Sequence, residues 1–176
     1  MSYPIVVSNN VLNEEQWTLF NNELEESQID YLQKYPRRLF STEKHQQWLL
    51  DTFEDYITSV RQHCEYSDIQ QAFVGLELPG SHFFHHRSHP NIAAVACIAL
   101  DNMPTQQACG LELLTNSFDD PEDYLFGGNG YESVQYNFEV NTAFLIMNTE
   151  PRYHWGFMYP IPKGHVRRSV WLYFGR

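Results

Sequence analysis

Cysteine is scarce in this sequence. Cys64, Cys97 and Cys109 are the three thiols in 176 residues, far apart and without a CxxC pair, so neither a disulfide framework nor a zinc ribbon is indicated. Reduced thiols fit the cytoplasm, which is the expected compartment. Basic residues are few as well: 11 Lys and Arg against 22 Asp and Glu leave a net charge of −11. A nucleic-acid backbone or an anionic membrane would call for the opposite excess, so neither is expected as a partner. Arg167-Arg168 is the one candidate for a local basic patch. Long apolar runs are missing, none approaching the ~20 residues of a membrane span. Met1 to Leu12 lacks the basic-then-apolar order of a secretion signal, so a soluble, intracellular protein is expected. There is no glycine-rich phosphate loop, no GxSxG elbow and no HExxH helix, which removes the commonest signatures of nucleotide binding, serine hydrolysis and zinc proteolysis.

What the chain has is aromatic and apolar residues, 15% and 43% of the total. At this length a single domain over 1–176 can bury roughly two-thirds of its unfolded surface. The aromatic content favours strands and a lined cavity over a helical bundle. Ile5-Val6-Val7 reads as a short strand. Asn13, followed by Glu14 and Glu15, is an N-cap for a helix to about Ser27 with Trp17, Leu19, Phe20 and Leu24 as its apolar stripe. Tyr35-Pro36-Arg37-Arg38 breaks any continuation. A second helix is expected from Thr42 to Cys64, capped by Ser41, with Leu49, Phe53, Tyr56, Ile57 and Val60 on one face.

From Asp68 onward the period changes to two. Ile69–Leu78, Ile92–Leu100, Leu111–Leu114, Ser133–Val140, Thr142–Met147, Tyr153–Tyr159 and Ser169–Phe174 read as strands separated by Pro, Gly, Asn and Asp. The division expected is helical support over 1–67 and a β-sandwich or barrel over 68–176. The longest loop expected is Asp119–Gly130, placed to lie over a site.

Histidine is concentrated in one place. His82, His85, His86 and His89 fall within eight residues, after a turn at Pro79-Gly80 and before the apolar run Ile92–Leu100. Imidazole is the commonest side-chain donor to first-row metals, and one such histidine can meet a distant one at a single ion. The distant candidate is His154. On the closing strand, Arg167, Ser169, Trp171 and Tyr173 share one face by alternation, and Arg168, Val170, Leu172 and Phe174 share the other. An arginine on an inward face needs an anionic partner. Cys97 sits mid-run among Ala, Val and Ile and reads as a buried structural thiol; Glu112 is a carboxylate in reach of a basic role only if it faces a site.

Taken in order, these motifs resemble those of the 2-oxoglutarate and Fe(II)-dependent dioxygenases, in which His-x-Asp, an apolar strand, a Gly-Gly-x-Glu-Leu-like segment, a distal His and Arg-x-Ser follow one another. Here the sequence offers His86-Arg87-Ser88, Ile92–Leu100, Cys109-Gly110-Leu111-Glu112-Leu113, His154-Trp155-Gly156 and Arg167-Arg168-Ser169. The resemblance implies a mainly β chain with N-terminal helices, folded as a double-stranded β-helix (a cupin-like jelly roll). It implies Fe(II) held by His86 and His154, and 2-oxoglutarate as cosubstrate. Arg167 would form a two-point ion pair with the distal carboxylate, with Ser169 adding a hydrogen bond. The substrate implied is a small molecule or a peptide side chain.

The chain departs from that pattern at Ser88, which stands where the ligand carboxylate belongs. Three outcomes are open. Two protein ligands remain and a halide takes the vacated position, as in iron-dependent halogenases; or a neighbouring histidine, His89 or His85, supplies the third bond; or oxidation is lost and a binding protein remains. A frame built on His85 puts Arg87 at the carboxylate position and is disfavoured.

Overall fold

The computed structural model describes residues 4–81, 88–103, 110–114, 133–149, 154–157 and 160–176, with His154 described by its backbone. Among the described residues, ten strands form two antiparallel sheets. The large sheet takes β1 (Ile5–Asn9), β2 (Tyr31–Tyr35), β3 (Arg38–Ser41), β4 (Ile69–Glu77), β5 (Ile92–Ala99), β8 (Thr142–Met147) and β10 (Arg167–Gly175), in the order β1-β8-β5-β10-β4-β3-β2. The small sheet takes β6 (Leu111–Leu114), β7 (Ser133–Tyr136) and β9 (His154–Phe157), in the order β7-β6-β9.

Alternation along the central strands sorts the two cores. Ala72, Val74, Ala94, Ala96, Ile98, Val170, Leu172 and Phe174 leave the large sheet on one face and pack under α1 (Glu14–Glu26), α2 (Gln46–Thr52) and α3 (Glu54–Val60), against Phe20, Leu49, Phe53, Tyr56 and Val60. Val95, Cys97, Phe144, Ile146 and Trp171 leave on the other and meet Leu111, Leu113, Trp155 and Phe157 of the small sheet. A sheet buried on both faces reads as an unbroken apolar run, and every residue of β5 is buried.

Helix α1 begins as the sequence reading has it. Asn13 accepts from the Gln16 amide at 2.9 Å, while the Gln16 side chain accepts from the Asn13 amide at 3.0 Å. Its stripe is narrower than expected, since Leu19 stays 56% exposed. The second helix is not continuous: a 3-10 turn at Glu43–His45 leads into α2, and Phe53 (φ −103°, ψ 20°) separates α2 from α3. Ser41 is not its cap. Its hydroxyl accepts from the Val74 amide at 2.9 Å and ties β3 to β4, so Thr42 opens the turn instead.

The first 67 residues also supply three strands to the large sheet, two of which the sequence reading missed. β2 and β3 form a hairpin turned at Pro36-Arg37, with Arg37 at φ 63°. Four of the five β2 residues are exposed, so no apolar alternation marks the strand. β7 ends at Tyr136, short of the expected Val140, although Phe138 beyond it is buried in the inter-sheet core. The loop Asp119–Gly130 lies outside the described residues. Among the described residues no helix is long and apolar enough to cross a membrane.

Asn141 fastens the N-terminal segment to this sheet. At φ 59°, its side chain donates to the Leu12 carbonyl at 2.8 Å and accepts from the Leu12 amide at 3.0 Å, both buried. Asn141→Ala leaves two buried backbone groups unpaired and puts a less tolerant residue at positive φ. Thermal denaturation should show a loss of about 2–4 kcal/mol, roughly 5–15 °C in Tm for a chain of this size.

Candidate functional site

The site is built on the inter-sheet face of β10. Register places Arg38, Glu77 and Arg167 side by side on β3, β4 and β10, in one row across three adjacent strands. The Arg167 Nε donates to Glu77 Oε2 at 2.6 Å, and the Arg38 Nε lies 3.0 Å from Glu77 Oε1. Arg167 is 0% exposed, the Glu77 side chain 1% and the Arg38 side chain 12%. One carboxylate thus serves two guanidiniums, and among the described residues this makes the row cationic. The Arg167 guanidinium also lies over the Phe157 ring, 3.3 Å from its centroid. Burial lowers the Arg38 guanidinium below its ordinary pKa, against the opposing pull of Glu77.

The next row holds Phe40, Gly75, Ser169 and Ala99. Ser169 is fully buried, and its hydroxyl has no hydrogen-bond partner of ordinary geometry among the described residues. Its neighbour is the Cys97 thiol, which burial holds far above its ordinary pKa despite the Arg167 charge nearby. Cys97 is therefore an inert packing thiol, as expected. Gly75 lies close against this row: a Cβ added to it would sit 3.0 Å from Trp171 Nε1 and 3.6 Å from Ser169 Oγ. Beyond these, Phe40, Phe73 and Tyr173 stack in series at 4.4 and 5.9 Å, and burial pushes the Tyr173 hydroxyl up to about 12.

Arg168 takes the opposite face. Its side chain grips Asp101 through Nη2 at 2.8 Å and Nε at 3.2 Å, and its amide donates to the same carboxylate at 2.8 Å. The hydrogen bond to Asp101 is the largest cause of its raised pKa. Arg167-Arg168 is therefore not a basic patch: one guanidinium is interior and the other is tied down.

The candidate metal residues are described only in part. His82, His85 and His86 lie outside the described residues. His154 opens β9, in register with Leu114. The inward residues of β9 are Trp155 and Phe157, opposite Leu113 and Leu111. Ser88 reaches this strand directly, its hydroxyl accepting from Trp155 Nε1 at 3.2 Å. His89 is exposed in the turn that follows, where Nδ1 accepts from the Asn91 amide at 3.2 Å and the carbonyl accepts from Asn148. Among the described residues no three of His, Cys, Asp and Glu are grouped to hold a metal. Glu112 alternates with Leu111 and Leu113, which enter the inter-sheet core, so it belongs to the other face of the small sheet.

Two residues of the row, Arg38 and Glu77, were not picked out from the sequence. Glu77 carried a usable signal: it shares a face of β4 with Phe73 and Gly75, so a period-two reading puts a carboxylate inside. Arg38 carried none, because its strand was not visible.

No family model matches the sequence, and no curated protein matches it. Solved structures do match in shape. HygX from Streptomyces hygroscopicus, with nickel, 2-oxoglutarate and hygromycin B bound, aligns with TM-score 0.73 and 12% identity over 98% of this chain and 83% of its own. A prolyl hydroxylase from Trichoplax adhaerens, in complex with a hypoxia inducible factor peptide fragment, aligns with TM-score 0.66 and 13% identity over 99% and 84%. A Pseudomonas putida prolyl-4-hydroxylase gives 0.60 and 14% over 99% and 94%. At such identities the likeness is one of architecture, and the chain has the jelly-roll fold found in 2-oxoglutarate-dependent oxygenases.

Proposed function

We propose that this is a 2-oxoglutarate-oxygenase-like protein whose interior takes a small dicarboxylate, with 2-oxoglutarate the leading candidate. Arg167 holds the distal carboxylate and Ser169 adds a hydrogen bond to it. The observation that carries this reading is a fully buried guanidinium at the inward start of the last strand, followed two residues later by a fully buried inward hydroxyl. Glu77 acts as a positioning residue. It takes the Arg167 Nε and so fixes the direction in which the rest of the guanidinium points. Phe157 covers one face of that group and keeps the pairing dry, where charge-assisted bonds are strongest. The structural relatives crystallised with 2-oxoglutarate support the choice of diacid.

The described residues fit the diacid, while the candidate metal donors His82, His85 and His86 and the side chain of His154 lie outside them. A second reading, an Fe(II)-dependent hydroxylase or halogenase acting on a small molecule or peptide side chain, is favoured by relatives crystallised with nickel or iron beside the cosubstrate. In it, His86 and His154 would be the ligands and the iron would supply oxygen activation. His89 would have to leave its surface turn to serve as the substitute.

Calorimetric titration tests the proposal. 2-Oxoglutarate and succinate should bind with 1:1 stoichiometry, and acetate, which lacks the second carboxylate, at least about tenfold more weakly, a difference of ~1.4 kcal/mol. No heat from either diacid at millimolar concentration would remove the reading. Incubation with Fe(II), ascorbate and 2-oxoglutarate separates the two readings: succinate formation by wild-type protein or by Ser88→Asp supports turnover.

A further inference from the structure

We infer that His45 is a pH-sensitive clasp: as the neutral imidazole it closes the open end of the β2–β3 hairpin, and acid opens that end and weakens the row of Arg38, Glu77 and Arg167. The effect on the row rests on the diacid-binding reading above; the clasp itself does not. His45 ends the 3-10 turn that follows β3 and leads into α2. It is 8% exposed, and the chemistry proposed above makes no use of it.

Asp30, the residue before β2, is fastened to this turn at three points. Its carbonyl accepts from the Thr42 amide at 2.9 Å, its carboxylate pairs with Lys44, and its amide donates to His45 Nε2 at 3.3 Å. A backbone N–H can only donate, so the nitrogen facing it carries no proton and the ring is in its neutral Nδ1–H form. Protonation would set a second N–H against the Asp30 N–H with no acceptor between them. Burial is the largest force against the charged ring and the Lys44 ammonium the next, while the Asp30 carboxylate pulls the other way. Among the described residues, the charged groups acting on the ring are Lys44 of its own turn and Asp30 just before β2, with none from α2 or β4.

The ring's pKa therefore lies below the ordinary histidine value of about 6.5. Above that value the contact is complete, and its stabilisation is lost as pH falls toward the folded-state pKa. The consequence reaches the site along the hairpin. β2 and β3 pair from Tyr31 and Ser41, next to the clasp, to Tyr35 and Arg38 at the turn. Arg38 shares the Glu77 carboxylate with Arg167. A hairpin freed at its open end holds Arg38 less firmly in the row. With Arg38 withdrawn, the Glu77 charge falls on Arg167 alone, and the guanidinium proposed to face the diacid is neutralised by its own neighbour.

The test is hydrogen exchange of the full-length protein without ligand, at about pH 7.5 and about pH 5.5, corrected for the intrinsic exchange rate. Protection over Tyr31–Ser41 should fall at least about tenfold in acid, with β5 changing less. In His45→Gln, whose side-chain oxygen can accept from Asp30 without titrating, the fall should be under about twofold. Equal protection of the wild-type hairpin at the two pH values, or an equal loss in His45→Gln, would overturn the clasp. If His45→Gln does not fold, the wild-type imidazole followed by NMR decides, and a pKa at or above about 6.5 overturns it. The Kd for 2-oxoglutarate should rise at least about fivefold over the same interval, in which both its carboxylates stay ionised, and under about twofold in His45→Gln. An unchanged wild-type Kd would overturn the link to the row. If no diacid binds at the higher pH, the proposed function fails, and the exchange data alone judge the clasp.

Discussion

Glu77→Gln is expected to cost the fold about 3–5 kcal/mol, because a buried ion pair loses its charged member. Here the loss falls on two guanidiniums at once. Arg167 is 0% exposed, whereas Arg38, at 12%, lies nearer the surface. For a chain of this length the loss corresponds to a fall of roughly 6–20 °C in Tm. The same variant carries a second readout. With the internal carboxylate neutralised, an added diacid becomes the only anion at the row among the described groups, so saturating succinate should recover part of the lost Tm by mass action. Differential scanning calorimetry with and without succinate reads both effects. A Tm within 2 °C of wild type, a shift worth under about 1 kcal/mol, would mean that Glu77 does not hold the row together.

Arg167→Met should have the largest effect on binding. Methionine keeps the apolar contact with Phe157 and leaves Glu77 to Arg38, so the fold survives at a smaller cost than in Glu77→Gln. The interior loses the group proposed to face the diacid. Truncating one side of a desolvated charge pair costs about 2–5 kcal/mol, which is roughly a 30-fold to several-thousandfold loss of affinity. Arg168→Met is the control next door. That residue lies on the opposite face, held by Asp101, so 2-oxoglutarate should bind it within about twofold of wild type. Equal losses in the two variants would show that bulk positive charge, and not one inward guanidinium, attracts the ligand.

The contrast between these two neighbours was legible in the sequence, since period-two alternation separates Arg167, Ser169, Trp171 and Tyr173 from Arg168, Val170, Leu172 and Phe174, and the two cores sort them in that way for every residue they contain. The mainly β architecture was legible for the same reason, because β4, β5, β8 and β10 carry strong apolar patterns that only burial on two faces produces. What the sequence hid depends on long-range register. Arg38 reaches the site through a hairpin whose residues are polar and mostly exposed, and Glu77 finds its partners across β3 and β10, more than thirty positions away on either side. The cap assigned to Ser41 failed on the same ground, for its hydroxyl was claimed by the Val74 amide of a neighbouring strand. In the sequence Trp155 stands only as a member of the motif His154-Trp155-Gly156. Only its hydrogen bond to Ser88 shows which residue of β9 meets that position.

The most direct test of the account is the structure of the protein crystallised with 2-oxoglutarate. One carboxylate should lie within hydrogen-bonding distance, about 3 Å, of both the Arg167 Nη edge and Ser169 Oγ, with Glu77 still on Nε. A diacid bound elsewhere, with Ser169 Oγ still unengaged, would contradict it.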